Sequence, residues 1–146
     1  MPRFFTLVQA ELLLASVDPD IRYAIEVKAH YDQADHELHE SLRRIMMMGG
    51  TLVDQDKVAG QKSRRESSAV RFKDAVEKVQ SHGCVLKDLE IGLIDFPTLY
   101  RGEEVYLCWK LGEDGIAYWH GVSEGFRGRK KIDQEFLDNH KGDLTH

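Results

Sequence analysis

At 146 residues with a formal net charge of −5, the chain is long enough to bury a core as one domain, and its acidic balance argues against a general nucleic-acid binder, which needs a basic face. Its 42% apolar and 31% charged residues are the mix of an ordinary water-soluble globular protein and exclude a disordered chain. The longest apolar run near the start, Leu12 to Ala15, is far too short for a bilayer span or a signal segment. A cytoplasmic protein is therefore expected, with Cys84 and Cys108 as reduced thiols rather than a disulfide.

Helical patterns come first. Thr6 is a good helix N-cap and Gln9, three residues on, completes a capping box. Leu7, Ala10, Leu13 and Leu14 then share one face of a first helix. Asp18-Pro19-Asp20 interrupts it, with Asp18 capping a second helix whose first position is Pro19. That second helix carries Ala24, Val27, Tyr31, Ala34, Leu38, Ser41, Ile45 and Met48 at alternating spacings of three and four, and Gly49-Gly50 stops it. About 28 residues of helix would span roughly 40 Å, and so long a seam needs a partner along most of its length. Residues 51–66 are polar and mixed and read as a connection, part helical and part mobile. A third helix is predicted over 67–82, with Ala69, Phe72, Val76 and Val79 inward and Gly83 as its left-handed cap.

After Gly83 the period changes to two. Val85-Leu86 opens a short strand, and Gly92 to Phe96 forms a second that Pro97 ends or marks as an edge. Glu104 to Leu111 is the clearest strand. Gly112-Glu113-Asp114-Gly115 reads as a tight turn and 116–120 as the returning strand. A two- or four-residue turn would put Ile116, Tyr118 and His120 on the face of Val105, Leu107, Trp109 and Leu111, and leave Cys108 with Ala117 and Trp119. Residues 133–139 suit one or two helical turns, and the last residues of a polar tail are expected to fray.

The run Leu86-Lys87-Asp88, Gly92-Leu93-Ile94-Asp95-Phe96-Pro97, Val105 to Leu111 with Gly112-Glu113, Tyr118-Trp119-His120-Gly121 and Gly125-Phe126-Arg127-Gly128-Arg129 resembles a bacterial family known as domain of unknown function 2203. The Phe5-Thr6 opening fits it too. The resemblance implies a small cytosolic bacterial protein and brings no catalytic roles.

Chemistry is sought first in that cassette. Asp88, Asp95 and His120 could converge at the sheet, since a carboxylate fixes the tautomer of a nearby histidine and steadies its charged form. Lys87 or Arg129 would stand ready for negative charge. The alternative is a structural network, with Asp88 or Asp95 paired to Lys87 or Arg129 and His120 donating to a backbone carbonyl. Trp109, Tyr118, Trp119, His120 and Phe126, with Arg127 and Arg129, could line a pocket for a small anionic ligand, although aromatics at strand spacing more often form core. Cys108, placed away from His120, reads as a small apolar filler. A second metal candidate is the patch Asp32, Asp35, His36 and His39 on the second helix, against the plainer reading of a solvated helix flank. The basic run Phe126 to Lys131 reads as a solvated turn, its alternative a seat for a phosphate or an acidic partner, and Met46-Met47-Met48 leaves one methionine for solvent or another subunit.

These readings combine into an α+β protein of one domain, residues 1–146. A helical hairpin with an extra short helix (about 5–82) packs on a small antiparallel sheet (about 84–121), followed by a tail over 130–146. The long seam predicts a homodimer through the second helix. Two functions are carried forward: a non-catalytic module for a small ligand or a protein segment, and a divalent-metal-dependent hydrolase using Asp88, Asp95 and His120.

Overall fold

Thr6 and Gln9 do form a reciprocal capping box. Gln9 N donates to Thr6 Oγ1 at 3.1 Å and Thr6 N to Gln9 Oε1 at 2.9 Å, so two of the first turn's orphan donors are satisfied. From this cap a single helix, α1, runs over Leu7–Met47 in the computed structural model, which describes residues 4–49 and 54–143.

The expected break at Asp18-Pro19-Asp20 does not occur. Ala15 and Pro19 both face solvent, so the carbonyl that loses its donor at Pro19 lies on the wet side. Val17 and Ile21 are fully buried on the opposite side and hold the helix through the proline. Asp18 does not cap; it pairs with Arg22 one turn on, at 2.6 Å.

The second long helix, α2, spans Gln55–Gln80 and so starts well before the expected 67. Its cap is Asp54, whose Oδ1 accepts from Lys57 N at 3.0 Å. The stripe upstream of Ser67 exists but is polar, with Gln61 buried and Arg65 half-buried. Gly49 has φ 72 at the end of the first arm, while Gly50 and 51–53 lie outside the described residues. The two helices form the expected hairpin, and all three methionines at its end are 60–81% exposed, Met48 included.

The chain divides into two compact units: residues 23–77, which are the hairpin arms, and residues 1–22 with 78–146. In the hairpin unit Ala24, Val27, Ala34 and Leu38 are buried along the predicted seam, and Arg65 meets Asp35 across it at 3.4 Å.

The second unit holds the sheet. Helix α2 ends at Gly83, whose φ of 100 and contact with the Phe5 ring leave no room for a Cβ. Five antiparallel strands follow in the order β1 (Val85–Asp88), β2 (Leu93–Tyr100), β3 (Glu103–Lys110), β4 (Tyr118–Gly121) and β5 (Lys130–Lys131). A short helix, α3 (Gln134–Asn139), is capped by Asp133, and β6 (His140–Lys141) pairs with the far end of β2. Residues 144–146 of the tail lie outside the described residues.

Pro97 does not end its strand. The outer edge of β2 is paired to β1 only as far as Asp95 and to β6 only from Leu99, so no ladder partner is missing a donor at Pro97. Its carbonyl accepts from Phe5 N at 2.7 Å. One face of the sheet is apolar. Ile94, Phe96, Leu107 and Trp109 are buried there, with Phe5 edge-on to Phe96 and Phe136 stacked on Tyr100 and against Trp119.

Candidate metal centre

The other face of the sheet carries polar groups that are just as buried. Register sets them: Asp95 on β2 lies opposite Cys108 on β3, and Cys108 opposite Tyr118 on β4. Two pairs further on, on the same face, Tyr106 lies opposite His120. Directly opposite residues share a face, so His120, Cys108 and Asp95 sit together.

The expected tight turn would have done the opposite. The strands are joined by 111–117 rather than by a two- or four-residue turn, and this shift of one position moves His120 to the other face. The longer connection is held by its own bonds. Trp109 Nε1 donates to Glu113 O at 3.0 Å, Lys110 N to Glu113 Oε1 at 2.7 Å, and Ile116 N to Glu11 Oε1 at 3.2 Å. Cys108, expected to point away from His120, is therefore its neighbour.

Asp95, Cys108 and His120 each offer one ligand atom, and these atoms lie within 4.8 Å of one another. Exposure is 1% at the Asp95 side chain and 3% at that of His120, and Cys108 is fully enclosed. His120 Nδ1 lies 2.8 Å from Gly121 O and Nε2 lies 3.0 Å from Asp95 Oδ1. A carbonyl only accepts, so Nδ1 carries a proton. Nε2 then faces Asp95 Oδ1 with either a single shared proton or a metal ion between them.

The thiol of Cys108 is pushed up to about 12, by burial first and then by the charge of Asp95, with Arg129 pulling the other way. Without a metal it is a neutral S–H. A zinc-class ion would displace that proton and take one sulfur, one nitrogen and one oxygen. Ligand atoms around a tetrahedral zinc stand roughly 3.3–3.8 Å apart, so the Asp95–His120 pair at 3.0 Å would open by a few tenths of an ångström.

The remaining expected residues are placed as follows. Asp88 is exposed and its Oδ1 accepts from Glu90 N at 2.9 Å, so it stands apart from the triad and Cys108 takes the place assigned to it. Lys87 is exposed over the Tyr106 ring at 5.1 Å. Arg129 is held by both carboxylate oxygens of Glu113 at 2.8 Å and lies 4.0 Å from the centre of the Tyr118 ring and 4.8 Å from that of Phe126. Trp109 and Trp119 belong to the apolar face, whereas Tyr118, His120, Phe126 and Arg129 belong to the polar side; Arg127 is exposed. In the hairpin unit Lys28 pairs with Asp32, and His39 and Arg65 pair with Asp35. Among the described residues the only group of three or more His, Cys, Asp or Glu side chains placed to hold an ion is Asp95, Cys108 and His120, so Asp32, Asp35, His36 and His39 do not form one.

Both cysteines are free, and no helix among the described residues is long and apolar enough to cross a membrane. A family model described as "Uncharacterized conserved protein (DUF2203)" matches residues 3–132. No curated protein and no solved structure matches the chain. With the model covering nearly its whole length, the chain belongs to the DUF2203 family.

Proposed function

We propose that this protein is a divalent-metal-dependent hydrolase whose ion is held by Asp95, Cys108 and His120. The observation that carries the reading is the convergence of a carboxylate, a thiol and an imidazole, all buried, on the polar face of the sheet. Two anionic ligands with one neutral ligand would offset the charge of a divalent ion. Three protein ligands are the pattern of zinc sites that act on substrate, because a fourth position is left for water, whose pKa the ion lowers. Gly121 O, accepting from Nδ1, is expected to fix both the orientation and the tautomer of the His120 ring and to leave Nε2 for the ion.

The test is elemental analysis of purified, untagged protein, beside Asp95→Ala, Cys108→Ser and His120→Ala. About one ion per chain is expected in the parent and at least a tenfold loss of affinity in each variant. A parent that neither retains metal nor takes up zinc or cobalt on dialysis would sink the reading. Loaded protein then goes to a panel of ester, amide and phosphoester substrates.

A second reading, a non-catalytic binding module, is favoured by the closure of the triad. With a proton in place of the ion, the groups satisfy one another and none reaches solvent. In that case the face presented to a ligand is Phe126 with Arg127, both exposed. A folded parent with no metal and no hydrolysis supports it.

A further inference from the structure

The pairing that brings Cys108 beside Asp95 continues to Tyr118, so a single row across β2, β3 and β4 reads Asp95, Cys108, Tyr118. Adjacent strands lie about 4.8 Å apart. Arg129 rests on the Tyr118 ring with 4.0 Å between guanidinium carbon and ring centre. Its guanidinium therefore lies over the Tyr118 end of that row, on the polar face.

Arg129 is unusually constrained for a cation so close to a chain end. Glu113 takes its Nη2 through both oxygens, the Phe126 ring also lies against it, and its side chain is 11% exposed. Glu113 is itself fixed by Lys110 N. One donor is left over: Nε is buried and has no hydrogen-bond partner among the described residues. A buried N–H on a guanidinium is costly to leave unmade, and Glu113, with both oxygens on Nη2, makes no bond to it. Lys110 adds a second cation 5.9 Å from the Phe126 ring.

We propose that Arg129 is the anion-binding group of this site, and that the ligand of the metal centre is an oxyanion with one oxygen at the ion's fourth position and another on Arg129 Nε. This rests on the metal reading above. An oxyanion of phosphate size, bonded to an ion on one side and to an N–H on the other, bridges roughly 6–7 Å, which matches one to two strand spacings along the row. The substrate class is thereby narrowed to anionic esters, with the phosphate-type group held by a positioned planar donor.

The experiment uses the whole chain loaded with cobalt, whose visible spectrum reports its ligands, titrated with inorganic phosphate. A change in the cobalt spectrum is expected in the parent. In Arg129→Lys and Arg129→Gln, phosphate affinity is expected to fall at least tenfold with cobalt stoichiometry unchanged. The lysine variant keeps the charge and loses the fork; if neither variant folds, a parent whose cobalt spectrum ignores phosphate still overturns the anion site. Cobalt bound but a spectrum indifferent to phosphate, or equal phosphate affinity in parent and variants, overturns the anion site and leaves the metal reading standing. Failure of the parent to bind cobalt overturns both.

Discussion

The Nε2 of His120 lies 3.0 Å from the Oδ1 of Asp95, at side-chain exposures of 3% and 1%. Nδ1 of the same ring is committed to Gly121 O. In metal-free protein this is a buried hydrogen-bonded pair, and removing one partner leaves the other's polar atoms without compensation. Asp95→Ala is expected to lower the metal-free protein's unfolding free energy by about 3–5 kcal/mol, measured by urea denaturation after chelation. A loss under about 1 kcal/mol would mean that the pair is not charged.

Burial raises both thiols from an ordinary value near 9 to about 12. Folded metal-free protein at pH 8 should therefore react with a thiol reagent at least about a hundredfold more slowly than protein in urea. The same shifts set a pH dependence. The folded state holds its thiol protons more tightly than the unfolded chain, so stability is intact below about 9 and falls as pH rises from there toward 12. Each thiol contributes a slope of up to about 1.4 kcal/mol per pH unit. Cys108→Ala should flatten the alkaline limb of the denaturation curves, and an unchanged limb would contradict the placement of that thiol.

Pro19 sits in the interior of α1 and costs the helix a hydrogen bond on its wet side. Because the helix is continuous, alanine there should restore the bond without disturbing Val17 or Ile21. Pro19→Ala is expected to stabilise the protein by about 1–3 kcal/mol, read as a higher urea midpoint. A destabilised variant would indicate a boundary at this position.

His140 accepts from Leu7 N at 3.0 Å through Nε2 and donates through Nδ1 to Leu137 O at 2.8 Å. It thus ties the first turn of α1 to the end of α3. His140→Ala should cost about 1 kcal/mol. Phe136, 1% exposed between Tyr100 and Trp119, should cost about 3–5 kcal/mol as alanine. Both residues lie beyond the family match, which ends at 132; calorimetry showing no change for Phe136→Ala would remove the segment from the core.

The α+β architecture, the hairpin, the capping box and the switch to period two at Gly83 were all legible, because each rests on local rules of spacing and capping. The start of α2 was not, since Gln61, Arg65 and Ser68 fill its inward stripe and an apolar pattern cannot reveal a polar one. Asp54 as a cap was the available signal. For the site, Asp95 and His120 were legible as residue types, but their company was not. Face assignment hung on the length of one connection, and the bonds that Glu113 and Glu11 make there are not local patterns. Had Asp95 been aligned opposite Cys108, the cysteine would have been found with it.

Asp20 has a consequence beyond its own bonds. It meets His82 at 2.7 Å and Lys78 at 3.4 Å, so the point where the chain leaves the sheet unit is fastened to the point where it re-enters. Everything between is, thermodynamically, an excursion with its ends already joined. The entropy of closing such an excursion grows only with the logarithm of its length, about 0.6 kcal/mol per doubling. Excursions of quite different length can therefore be closed by the same contact, and selection can alter the arms while Asp95, Cys108 and His120 keep their places.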